Sequence, residues 1–561
     1  MLRFSQDPAT AERQMEALIF SLTTFGYIDG DFDTPEKELV KQTIARLVEQ
    51  RVDTGMPDAT PEVRRDLCAR FTTHFCEKLE RIDEHVRELF HEPLASGEDR
   101  DTFVHSKLKT RCFEIFGAFD RANQEALLES VDELIRADGE VHPAELAFRS
   151  ELAALLDAEV DIELVEEPGD RPRASIGAPI HTTSREDHGF FQKLEFHYDP
   201  DVIEKQVAAD LALIDKLIAA LEERRAAGQG GLSGKRTVAD LAPGADFLDG
   251  WTHVLMPAPG RAYELVVLGD LHGCYSCLKA TVMQTRFFEK VAAYRKDPES
   301  APCPKLVLLG DYIDRGIFSL NGVLRTVMQM AITAPEHVYV LRGNHEYYVE
   351  HKGQVYGGVK PAEAINTLKP HLPVEVFRRY RTLFDLLPNV LLFERTMFVH
   401  GGIPRDRVIK ERWQDLSTLN DPDVRFQMMW SDPSAASVIP AELQEQSARF
   451  PFGKLQFAAF MKRLGCHALV RGHEKVVEGF RRVYDDDAGL LITLFSAGGS
   501  ENRDLPETSS YRGVTPMAMI LERSATGETA ITPLEIDWAS YNDPERNAFF
   551  KTAPEIEHRS E

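Results

Sequence analysis

Six apolar runs between residues 263 and 497 constrain this chain more than anything else in it: YELVVLG, KLVLLG, HVYVLRG, NVLLFERTMFVHGG, HALVRGH and LLITLFSA. Their lengths and aliphatic content read as buried strands alternating with helical stretches, the pattern of an α/β region. Several of them stop at a glycine followed by a charged or metal-capable residue. The clearest is LVLLGDYIDRG, Leu306 to Gly316, where four aliphatics give way to Gly310, Asp311, Asp314 and Arg315. Burying a charge without a partner is costly, so something must compensate Asp311 at the end of a central strand. Strand ends of this kind are also where open α/β sheets place their ligands.

Collected in order, the strand ends read GDLHG (Asp270, His272), GDYIDRG (Asp311, Asp314, Arg315), RGNHE (Asn344, His345), VHGG (His400) and RGH (His473). Two neighbouring divalent metals need a bridging carboxylate, further hard oxygen and nitrogen ligands, and open positions for water and substrate. Asp270 and His272 suit one metal, Asn344, His400 and His473 the other, and Asp311 is the natural bridge. A mixed Asp/His/Asn shell fits Mn²⁺ best in this reading, with Fe or Zn as alternatives, and suits these better than calcium. A metal-bridging hydroxide would then be the nucleophile, attacking phosphorus in line. Arg315 can hold phosphate oxygens with its planar fork. His345, next to a ligand, can protonate the leaving oxygen, and Asp314 can orient it.

These blocks, together with WSDP (Trp430 to Pro433) and LFSA, resemble the signatures of the phosphoprotein phosphatase family of serine/threonine phosphatases, within the calcineurin-like metallophosphoesterase superfamily. The resemblance covers about 260 to 520. It implies a β-sandwich flanked by helices, a di-metal centre, and direct hydrolysis of phosphoserine or phosphothreonine in a protein or peptide. It implies the metal ligands Asp270, His272, Asp311, Asn344, His400 and His473, with His345 as proton donor. The family's second phosphate-binding arginine lies between WSDP and a Phe-Gly pair, a place that Arg449 occupies in SARFPFG. Two departures stand out. The loop usually written SAPNY reads SAGGSENRD and has no tyrosine. The last block ends GHEK, lacking the second histidine of Gly-His-x-His that nucleases and phosphodiesterases of this fold commonly carry.

The rest of the chain differs in texture. Residues 1–160 show helical periodicity without strand-like runs and are expected to form an all-α domain with a partner-binding or regulatory role. Two echoes there, Asp29-Gly30 with Glu36 and Asp138-Gly139 with Glu145, each precede an amphipathic helix and resemble the TerB-like domain of tellurite resistance. The alternating Asp29, Asp31 and Asp33 do not make an EF-hand, which needs Gly at its sixth and Glu at its twelfth position. Residues 161–250 read as a linker with one long amphipathic helix, whose stripe is Ile203, Val207, Leu211, Ile214, Ile218 and Leu221, and AAGQGGLSGK reads as a flexible end. The catalytic domain is expected over 255–540.

A net charge of −26, from 91 acidic and 65 basic residues, disfavours nucleic acid and anionic membranes as partners. No stretch has the apolar length to span a bilayer, and the start lacks a signal-peptide pattern. Seven cysteines, an odd number in a long chain, suit a reducing, cytoplasmic setting. Cys274 and Cys277 form a lone C-x-x-C, expected as small buried residues at a helix start rather than as a zinc or redox pair. Two other readings remain open: the same chemistry on a small molecule such as a bis(5′-nucleosyl) tetraphosphate, and an inert phosphatase fold serving as a scaffold.

Overall fold

The computed structural model describes residues 4–547 except 6, 29–31, 33, 91, 93, 96, 136–142, 159–173, 185 and 193–199. The chain divides into two compact units, one of residues 1–161 with 434–453, the other of residues 162–433 with 454–561. Among the described residues, no helix is long and apolar enough to cross a membrane.

The larger unit is mixed α/β and is built on two seven-stranded sheets. One runs in the order Ser175–Ile176, Thr529–Glu535, Met517–Arg523, Tyr263–Leu268, Cys303–Leu308 and Val338–Val340, with Ile180–His181 also on Thr529–Glu535. The other runs Phe480–Asp486, Gly489–Leu494, Ala468–Arg471, Thr396–Val399, Val390–Phe393, Thr252–Leu255 and Asp246–Asp249. NVLLFERTMFVHGG, one apolar run in the sequence, is thus an antiparallel hairpin that turns at Glu394 in the left-handed region.

Period-2 alternation decides the layering. In Tyr263–Leu268, Leu265 and Val267 meet Leu391, Phe398, Val470 and Ile492 of the other sheet in one apolar core. The intervening Val266 and Leu268 face a second core, shared with helices Tyr275–Gln284, Arg325–Thr333 and Val374–Leu386. Both faces of the strand are therefore covered, which is why it reads as an unbroken apolar run. In the first sheet Tyr263–Leu268, Cys303–Leu308 and Val338–Val340 run side by side and parallel. In the second Thr396–Val399, Ala468–Arg471 and Gly489–Leu494 do the same. The metal-capable residues follow the C-terminal ends of five of these six strands. At that edge Asp270 bridges to Phe495, and Ser496 of LFSA receives the Gly269 N–H at 2.9 Å while donating to the Met517 carbonyl at 2.7 Å.

The long helix Pro200–Gly228 belongs to this unit: Ile214, Ile218 and Leu221 are buried in its helix-side core, with Val207 and Leu211 packed at the margin. The side chain of Ile203 lies outside the described residues. Asp210 anchors the helix, gripping Arg325 at 2.7 and 2.9 Å, with both side chains buried. The segment after the helix is pinned rather than loose, because the Asp249 carboxylate accepts the N–H groups of Gly230 and Leu232 at 3.1 and 2.9 Å. We expect Asp210→Ala to destabilise this unit by about 3–5 kcal/mol, since it breaks a buried ion pair by removing one partner. Denaturant unfolding measures this, and a loss under about 1 kcal/mol would contradict it.

The smaller unit is helical: Pro8–Ile28, Thr34–Gly55, Pro61–Leu89, Arg100–Gly117, Arg121–Ile135 and Pro143–Asp157. Prolines open the first, third and last of these, where a missing N–H does no harm. Leu18, Ile44, Leu79, Phe103, Phe116 and Leu152 form its core, which also takes in Ile439 and Leu443. Residues 434–453 are thus an insertion packed with the helices and tied to them by side chains. Glu114 accepts from Ser434 at 2.5 Å, and Glu98 accepts from Ser447 and from the Ala448 N–H at 2.5 and 3.0 Å. Glu36 and Glu145 lie in the first turns of their helices. Asp29-Gly30, Asp31, Asp33 and Asp138-Gly139, which carry the repeat and the TerB-like resemblance, lie outside the described residues.

Candidate metal centre

Five of the residues named from the sequence sit in strained backbone. His272, Asp311, Asp314, Arg315 and His473 all have φ between +41 and +70°. Non-glycine residues avoid that region, and its occupation clusters at functional sites. Here it turns five side chains off the strand ends towards one another. Two glycines complete the cradle. A Cβ at Gly343 would strike the Asp311 carboxylate, and one at Gly472 the Asp270 carboxylate.

Asp311 is the centre. One of its oxygens lies 3.5 Å from His272 Nε2 and 4.0 Å from His345 Nε2. The other lies 3.4 Å from His400 Nε2 and accepts the His345 N–H at 3.0 Å. Asp270 stands 3.7 Å from His272 Nε2 and 4.0 Å from His400 Nδ1, and accepts the His473 N–H at 2.8 Å. Asn344 Oδ1 is 3.1 Å from His400 Nε2. The His400 and His473 rings lie 5.1 Å apart, and His473 Nδ1 is 2.9 Å from Asp432. All six expected ligands therefore share one buried pocket. Two trios among the described residues bring one ligand atom each within 4.8 Å of one another: His272, Asp311, His345 and Asp270, Asp311, His400.

The donor set fits a pair of divalent cations. Burial, with Asp270 and Glu346 close by, pushes the Asp311 carboxyl well above its ordinary range. Burial also drives His272 and His400 well below theirs, so both imidazoles are neutral and keep a lone pair for a metal. The buried Asn344 Nδ2 and His400 Nδ1 have no hydrogen-bond partner, an unusual state for enclosed polar atoms.

Beside the carboxylates, Asp314 Oδ2 holds His345 Nδ1 at 2.7 Å, and its Oδ1 takes the Ala364 N–H at 2.8 Å. Burial raises the Asp314 carboxyl to about 6, while Arg315 and the Ala364 N–H pull the other way. Burial works against the Arg315 cation, but Glu363, Tyr511 and Asp314 together hold its pKa above the ordinary value. Arg449 is placed in the helical unit, where its Nη1 lies 3.2 Å from Glu92.

Several contributors went unread in the sequence. Glu346, the last letter of RGNHE, accepts the N–H groups of Asp311, Tyr312 and Gly343 at 2.7–3.0 Å and so shapes the turn that carries Asp311. Asp432, within WSDP, links His473 to Arg471, whose Nη2 it holds at 2.7 Å. Both letters stand inside the quoted blocks, which was the available signal. Tyr511 had none. It lies fifteen residues past Ser496, on the turn Ser510–Gly513, with its ring 5.4 Å from His272 and 5.1 Å from Phe495. Burial pushes its phenol up, and the charges of Arg315, Asp270 and Asp311 act on it. The loop without a tyrosine thus has one brought back to the site by a later turn. Cys274 and Cys277 are buried beneath the site, and burial raises the Cys274 thiol well above its ordinary value, which makes it a poor nucleophile or metal ligand.

Residues 263–476 match the calcineurin-like phosphoesterase family. A probable serine/threonine-protein phosphatase of Encephalitozoon cuniculi is 28% identical over 260 residues, 46% of this chain and 51% of its own. The catalytic subunit of serine/threonine-protein phosphatase 4 of Saccharomyces cerevisiae is 26% identical over 42% of this chain and 68% of its own. A serine/threonine-protein phosphatase of Caenorhabditis elegans is 31% identical over 41% of this chain and 46% of its own. The chain thus spans about half the length of the first and third of these relatives.

Proposed function

We propose, from the premise that residues 263–476 form a calcineurin-like phosphoesterase domain, that this chain hydrolyses phosphomonoesters on proteins or peptides, phosphoserine and phosphothreonine above all. Asp270, His272, Asp311, Asn344, His400 and His473 would hold two divalent metal ions, for which we take Mn²⁺, with Fe or Zn as alternatives. The observation that carries this reading is the buried Asp311 carboxylate, set within 3.4–3.5 Å of both His272 and His400. Metal ions in such a site supply Lewis acidity towards phosphate oxygens and make water acidic enough to react near neutral pH.

The chain's own residues then have distinct tasks. Arg315 binds equatorial phosphate oxygens through charge-assisted hydrogen bonds. Asp314 fixes the His345 ring by its Nδ1, leaving Nε2 as the atom that delivers a proton to the leaving oxygen. Neutral His272 and His400 offer nitrogen lone pairs and add no positive charge of their own. Glu346 and Asp432 keep Asp311 and His473 oriented. The resemblance assigns a second phosphate contact to Arg449, whose guanidinium lies beside Glu92, and we keep that assignment alongside Arg315. An inert scaffold would have no need to keep all six ligand-type side chains and His345 in one buried pocket.

The test is an assay of the Mn²⁺-loaded chain on a phosphoserine/phosphothreonine peptide, a phosphotyrosine peptide and diadenosine tetraphosphate. Turnover led by the first supports the reading. Preference for phosphotyrosine overturns the residue class, and turnover of the dinucleotide alone moves the chain to nucleotide hydrolysis.

A further inference from the structure

The segment Lys360 to Ala364 reads KPAEA and is not part of any catalytic block, yet three of its residues touch the Asp314-Arg315 pair. The Pro361 carbonyl accepts from Arg315 Nη1 at 3.1 Å. Both carboxylate oxygens of Glu363 close on that same nitrogen at 2.6 and 2.7 Å. The Ala364 N–H reaches Asp314 Oδ1 at 2.8 Å. Arg315 itself sits in the left-handed region with φ 67°. Its Nη2 is buried and has no hydrogen-bond partner.

The grip on Arg315 is one-sided. In the usual fork a carboxylate engages two guanidinium nitrogens and spends the whole edge. Glu363 spends Nη1 alone and leaves Nη2 uncommitted. A buried donor without an acceptor is costly unless a ligand completes it. Arginine also carries substantial rotamer entropy, which a residue that pre-orients it removes from the cost of binding. Glu363 opens the helix Glu363–Leu368, whose second residue holds Asp314. One rigid start of a helix thus sets both the phosphate-binding arginine and the carboxylate behind the proton donor.

We propose that Glu363 is a positioning residue for Arg315, fixing Nη1 so that Nη2 is presented to an oxygen of the bound phosphomonoester. This rests on the phosphatase reading above and extends it to a residue outside every catalytic block. The opposing pull is electrostatic, because the Glu363 charge partly offsets that of Arg315. Positioning and offset predict opposite signs, which makes the proposal decidable.

Calorimetric titration of inorganic phosphate into the Mn²⁺-loaded full chain reads binding without turnover, and peptide kinetics run beside it. Positioning predicts that Glu363→Ala weakens phosphate binding and raises KM about tenfold with a much smaller change in kcat, the pattern of lost uniform binding. Glu363→Gln, which keeps one acceptor oxygen and the fold, should fall between wild type and Glu363→Ala. In an Arg315→Ala background, Glu363→Ala should add nothing. Equal or tighter phosphate binding by Glu363→Ala, or an effect that persists without Arg315, overturns the proposal. Phosphate binding with this pattern but no turnover of any phosphomonoester leaves the positioning intact and removes the phosphatase reading. Failure of the wild type to bind phosphate removes both.

Discussion

Asp311→Asn is expected to abolish measurable turnover while leaving the protein folded. Asp311 has a carboxylate within 4.0 Å of three imidazoles, those of His272, His345 and His400. Asparagine keeps the shape but removes the charge, and it places an amide donor where a lone pair must face a cation. The loss should amount to several kcal/mol of transition-state stabilisation, a fall on the order of 10³-fold or more. Metal content should drop with it. Stability should not, because burial and three neighbouring carboxylates, those of Asp270, Glu346 and Asp314, already disfavour the Asp311 charge, and the substitution relieves that penalty. Phosphate release, bound metal per chain and the melting temperature are the three readouts. A variant that keeps both its metals and its rate would show that Asp311 is not the bridge.

His345→Ala should separate chemistry from metal binding. The His345 ring is fixed by Asp314 on Nδ1 at 2.7 Å, and its Nε2 stands 4.0 Å from Asp311. That distance is compatible with two roles, a ligand in the trio with His272 and Asp311 or a proton donor. A nitrogen already committed to a carboxylate on its far side is found in both kinds of site. We assign the donor role. The kcat should then fall by about 10²–10⁴, the usual size of general-acid catalysis, with KM changed little. Metal content should match the wild type. The loss should be smaller for a substrate with an acidic leaving group, such as p-nitrophenyl phosphate, which needs no proton. An equal loss on both substrates, accompanied by lost metal, would reassign His345 as a ligand.

The candidate ligands were legible because strand-end chemistry is local: a short aliphatic run, a glycine and a polar residue are contiguous in sequence, so Asp270, Asp311, His400 and His473 announce themselves one by one. What surrounds them is not local. Glu363 reaches Arg315 across 48 residues and Asp432 reaches His473 across 41, and in neither case does spacing say that two side chains will meet. Tyr511 escaped for the same reason, since its turn carries no pattern of its own. The helix Pro200–Gly228 showed its apolar stripe plainly, but periodicity names a buried face without naming what covers it. The segment 434–453 is the sharpest case. Its sequence continues the catalytic blocks, while Ile439 and Leu443 pack into the helical unit's core, because burial partners are chosen in three dimensions.

Hydrolysis of a phosphomonoester at this site should require two metal ions, and one titration decides it. The chain is stripped of metal, Mn²⁺ is added back in measured equivalents, and the initial rate of phosphate release from a phosphoserine/phosphothreonine peptide is followed at each step. We expect no turnover without metal and a rate that saturates at two equivalents per chain. Turnover that survives complete removal of metal, or a rate already complete at one equivalent, would contradict it.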